Sequence, residues 1–93
     1  MTVGLLRLAI RIPDSQSLKA KRWHLRSLIT RIRNKFNVSV AEVESQDSWQ
    51  MAVLGVAHVG NERSHVNKVL DQVRNLAEGS RDAELVDSRL EFF

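Results

Sequence analysis

The sequence predicts one α+β domain over residues 1–93, with elements in the order strand, helix, strand, strand, helix, strand. Three observations predict it. Segments 3–12 and 84–93 alternate apolar and polar side chains, the period of two that a half-buried strand requires. Segments 18–36 and 66–77 repeat apolar residues at helical spacing. Between them, 38–44 and 49–59 are short strand-like runs joined by the turn Ser45-Gln46-Asp47-Ser48. An antiparallel four-stranded sheet with two helices on one face satisfies that order, the ferredoxin-like βαββαβ sandwich.

Each element has its own justification. In the first strand Leu6, Leu8, Ile10 and Ile12 share one face, Arg7 and Arg11 share the other, and Pro13-Asp14-Ser15 ends it. Ser17 is placed to cap the first helix, whose apolar stripe runs through Leu18, Leu25, Leu28, Ile29, Ile32 and Phe36 until Asn37. Asn61 is the expected cap of the second helix, with Val66, Val69, Leu70, Val73, Leu76 and Ala77 inward, and Gly79 stands where a helix often ends. The last strand is expected to turn Val86, Leu90 and Phe92 to one side.

The third strand reads as apolar on both faces. Ala52, Leu54 and Val56 are assigned to the helices, and Met51, Val53, Gly55 and Ala57 to the open side of the sheet. Leu5 and Ala9 join that open patch, flanked by Arg7 and Arg11. Two helices cover one side only, so a homodimer through Leu5, Ala9, Met51, Val53 and Ala57 is the simplest cover. A mildly apolar face under a short loop is the plainer alternative.

Composition narrows the class. Hydrophobic content of 43% and charged content of 27% are ordinary for a globular protein. No apolar run approaches the roughly 20 residues of a membrane span, and Met1-Thr2-Val3-Gly4-Leu5-Leu6 does not read as a signal peptide. With no cysteine there is no disulfide framework and no thiolate metal site, and a cytoplasmic location is the default. His24, His58 and His65 have no metal-ligand spacing with carboxylates, and the four glycines form no phosphate loop. Ser15, Ser17, Ser27 and Ser64 have no recognisable base beside them. Glu42 and Glu44 are expected to share one face of a strand, and they read better as a salt-bridging edge than as a catalytic pair. No enzyme, metal or cofactor is therefore expected.

Charge carries the functional signal. Residues 15–41 hold seven of the fourteen Lys and Arg residues and none of the eleven acids. Five of those seven cations stand in like-charge pairs: Arg22 with Arg26 and Arg31 with Lys35 are i,i+4 pairs, and Lys19 with Arg22 is an i,i+3 pair, each costing about 0.2–0.5 kcal/mol. Arg33 and Lys21 add to the segment. Advancing ~100° per residue from Leu18 places Arg22, Arg33, Arg26 and Lys19 in one band, Lys21, Arg31 and Lys35 on the opposite flank, and Trp23 out in solvent. Phosphates would reverse the repulsion, and an exposed Trp23 suits stacking on an unpaired base. The expected nucleic-acid contacts are Lys19, Lys21, Arg22, Trp23, Arg26 and Arg33, with Arg7 and Arg11 as further contributors. The competing expectations are a basic face neutralised by Glu42, Glu44 and Asp47 or by the acidic last strand, and a module that docks an acidic protein. The RNA-recognition platform of this fold is not expected, because the central strands place no aromatic pairs on the open face.

Particular runs add a resemblance. Leu6-Arg7-Leu8, Ile12-Pro13, Ser17-Leu18-Lys19-Ala20-Lys21-Arg22, Phe36-Asn37-Val38-Ser39-Val40-Ala41-Glu42-Val43, Gln46-Asp47 and Trp49-Gln50 together resemble the YlxP-like family of small bacterial proteins of unknown function. The likeness covers nearly the whole chain. It implies a ferredoxin-like fold, a bacterial cytoplasmic protein and, from the genes that commonly lie beside those of the family, a role near the ribosome. It implies no catalytic residue. The family often carries Glu where this chain has Ala20, and that Glu would complete a capping box with Ser17.

Overall fold

The structure is a computed structural model describing all 93 residues. Its elements are β1 (Thr2–Arg11), α1 (Leu18–Lys35), β2 (Ser39–Glu44), β3 (Met51–Gly60), α2 (Arg63–Glu78) and β4 (Glu84–Phe92). The strands form one sheet in the order β2-β3-β1-β4, every neighbouring pair antiparallel. β1 and β2 therefore run parallel with β3 between them, and β3 and β4 run parallel with β1 between them. Each helix makes one such split crossover, and both land on the same face of the sheet. The expected ferredoxin-like sandwich is what the chain forms.

The core lies between that face and the helices. β1 contributes Leu6, Leu8 and Ile10, with Ile12 just beyond it, and β3 contributes Ala52, Leu54 and Val56. Leu25, Leu28 and Ile32 of α1 and Val66, Leu70, Val73 and Ala77 of α2 close it from above. Each large aliphatic side chain buried here contributes roughly 1.5–3 kcal/mol. Gly4 lets α2 approach: a β-carbon there would stand 2.6 Å from Val66 Cγ1 and 2.7 Å from Leu70 Cδ1. No helix is long and apolar enough to cross a membrane.

Three local expectations are corrected, while Gly79 ends α2 as expected, with φ −82° outside the left-handed region and its N–H donating to the Asn75 carbonyl at 3.1 Å. The N-cap of α2 is Glu62, not Asn61, and it makes no side-chain cap bond. Trp49 stays in the loop before β3. In β4 the register shifts where Ala9 pairs Asp87 but Ile10 pairs Leu85. Val86 is the extra residue of this bulge, so it is exposed, and Leu85 packs on the core in its place.

Candidate nucleic-acid interface

α1 begins where Ser17 Oγ accepts the Ala20 N–H at 3.0 Å, and its first turn holds no acid. Its buried residues are Lys21, Leu25, Leu28 and Ile32. On a helical projection they centre about 50° away from Leu18, towards Leu28. Lys21 thus falls inside the apolar arc. This corrects its expected role: Lys21 is 0% exposed and meets no external phosphate. Its Nζ donates to Glu42 Oε2 at 3.0 Å and to the carbonyls of Ser45 at 2.8 Å, Met51 at 3.1 Å and Gln46 at 3.4 Å. A buried ammonium needs this many oxygens to replace water. The result ties α1 to both ends of the β2–β3 loop. Gln50 adds to the tie, its Nε2 donating to the Pro13 carbonyl at 3.3 Å.

The two glutamates of β2 do not share a face, contrary to expectation. β2 has a bulge between them, Glu42 opposite Leu54 and Glu44 opposite Val53. Glu42 therefore points to the helices and takes Lys21, while Glu44 points to the open face and accepts from Arg7 at 2.6 Å. Neither acid is left for the rest of α1. Asp47 forms no ion pair with α1 either, and the four ion pairs of the protein include no other Lys or Arg of that helix.

Lys19, Arg22, Arg26 and Arg33 remain as an exposed ridge, within about 60° of arc and about 21 Å of axis. Arg33 is fixed at its far end, Nη2 donating to the Val40 carbonyl of edge strand β2 at 2.7 Å. Trp23 is 65% exposed beside the ridge, as expected. At the N-terminal end an open hollow of about 770 Å³ is lined by Ser17, Lys19, Ala20, Arg22, Trp23, His24 and Arg26. A second groove of about 360 Å³ runs between α1 and β2, and Arg22 and Arg26 border both. Arg31 and Lys35 lie apart, on the groove towards α2.

Arg7 and Arg11 are not brought to this ridge. They lie on the open face of the sheet, the side away from the helices, and Arg7 is already paired with Glu44. Leu5, Ala9, Met51, Val53 and Ala57 do share that open face in register, but Val53 is already buried within the single chain at 5% exposure and offers no surface to a second copy, a correction to its expected interface role. His24 is a site residue that charge counting overlooked. Its ring meets Trp23 edge-to-face, centroids 5.0 Å apart and planes at 83°. Its buried Nδ1 has no hydrogen-bond partner and sits 3.7 Å from Asp82 Oδ2. No group of three His, Cys, Asp or Glu residues is placed to hold a metal.

A family model described as "Protein of unknown function (DUF503)" matches residues 3–90. The chain belongs to this family. Within reach of DUF503 sequences, "Uncharacterized protein YlxP" of Bacillus subtilis (strain 168) is 36% identical over 91 residues, covering 98% of this chain and 99% of that protein. The resemblance read from the sequence motifs is thereby borne out. Among solved structures, "De novo designed protein Foldit4" superposes with a TM-score of 0.52 at 11% identity, covering 98% of this chain and 96% of that one. That likeness is of fold alone.

Proposed function

We propose that this DUF503 protein is a non-enzymatic, cytoplasmic RNA- or ribosome-associated binding protein that meets phosphates with the outer side of α1. One observation carries the reading: of the seven Lys and Arg residues of α1, Lys21 alone reaches a carboxylate. The other six repel one another in the free protein, and phosphates would turn that repulsion into attraction with release of counterions. The reading in which nearby acids neutralise the whole helix is weakened, because Glu42 is taken by the buried Lys21 and Glu44 by Arg7, which leaves neither for the six other cations of α1.

The test is binding of labelled ribosomal RNA at low and high salt, by wild type and by Arg22→Ala/Arg26→Ala. Tight, salt-sensitive binding that the double variant loses is expected. Negligible affinity, or affinity that neither salt nor substitution changes, rejects the reading.

A second reading has its own observation. Leu5, Val43, Val59 and Phe93 are all large, exposed and carried by the uncovered side of the sheet. A second copy of the chain joined through this face would cover them, leaving α1 free to dock RNA or an acidic protein.

A further inference from the structure

Resting on the RNA reading of α1, we infer that the RNA it holds is unpaired, with one base stacked on Trp23. The first argument is the platform. An indole 65% exposed on a helix face is a cost in the free protein that a flat aromatic partner removes. Neighbouring residues on a helix do not normally face each other. Here Trp23 and His24 nonetheless meet edge-to-face at 5.0 Å, and His24 reaches back toward Asp82 in the α2–β4 connection. The indole is thus braced from one side and open on another.

The second argument is the placement of charge. Lys19 lies one turn before Trp23 and Arg26 one turn after, about 10 Å apart along the axis, and all three border the same hollow. That is a ring between two cations, the arrangement that takes a base and the phosphates on either side of it. The ridge beyond them is a single line of cations. It follows one strand, whereas readers of double-stranded RNA contact phosphates across successive grooves. A duplex also hides its base faces, and side chains do not enter its deep, narrow major groove, so Trp23 would gain nothing from it. An acidic protein would satisfy the cations but gives the indole no planar partner.

The experiment uses the full chain carrying Trp49→Phe, which leaves Trp23 as its one tryptophan. It is titrated with a twelve-nucleotide unstructured RNA, with the corresponding RNA duplex, and with poly-glutamate. Fluorescence reports stacking, and anisotropy of labelled RNA reports affinity. The single strand should bind at least about tenfold more tightly than the duplex and quench Trp23. Trp23→Ala should weaken the single strand by about 5- to 150-fold and leave the duplex unchanged. Trp23→Phe should lie between, which separates a lost ring from a disturbed helix. Equal affinity for strand and duplex, with neither weakened by Trp23→Ala, overturns the inference and leaves the RNA reading standing. Failure of both RNAs to bind overturns the two together, as does poly-glutamate binding as tightly as RNA.

Discussion

Lys21 and Arg22 are adjacent in sequence and opposite in fate. Arg22 stands on the ridge, and Lys21 is buried among four oxygens of Glu42 and the β2–β3 loop. Replacing Lys21 with Met would fill similar space but strip Glu42 and those carbonyls of their donor. Urea unfolding should show a loss of about 3 kcal/mol for Lys21→Met, whereas Arg22→Ala should stay within about 0.5 kcal/mol of wild type. A Lys21→Met protein of unchanged stability would mean that the ammonium does not hold the loop. The charge run was plain in the sequence, but the fate of each member was not. Helical spacing puts Lys21 near the apolar arc, yet burial of a lysine depends on oxygens supplied by residues 42–51, and no periodicity encodes their position. The same limit applies to Glu42 and Glu44, which alternate in sequence as one face and are turned apart by a bulge.

At the scale of elements, α1 carries both the strain and the proposed function. Ser17 caps it as the sequence indicated, because the capping side chain and its Ala20 N–H are local partners. No acid answers the positive end of its dipole. Ala20→Glu would supply one and complete the capping box, raising stability by about 0.5–1 kcal/mol and the melting temperature by a few degrees. The same carboxylate would border the hollow beside Lys19, Arg22 and Arg26, so RNA affinity should fall several-fold. A variant that is more stable and binds RNA as well as wild type would separate α1 charge from binding. The order and type of all six elements were legible from period and turn residues. Val86 was not, because the bulge in β4 depends on register with β1, a contact far away in sequence. His24 was missed for a related reason: its partner Asp82 lies fifty-eight residues further along and meets it only once α1 and the α2–β4 connection are packed.

For the whole molecule, the sheet separates two surfaces. The helix side carries the ridge of Lys19, Arg22, Arg26 and Arg33. The other side carries the apolar patch with Arg7 bound to Glu44. If the patch joins two copies, sedimentation should give the mass of a dimer and Met51→Lys should return it to a monomer; an unchanged mass in both would set that reading aside. Either way, the two surfaces are separable, and a monomeric variant should keep its RNA affinity per chain. The most direct measurement of the central claim is the slope of log affinity against log salt for single-stranded RNA. Four ridge cations predict a slope of about −2.8 for wild type and about −1.4 for Arg22→Ala/Arg26→Ala. A slope near zero, or one that the double variant leaves unchanged, would contradict the assignment of α1 as the phosphate-binding surface.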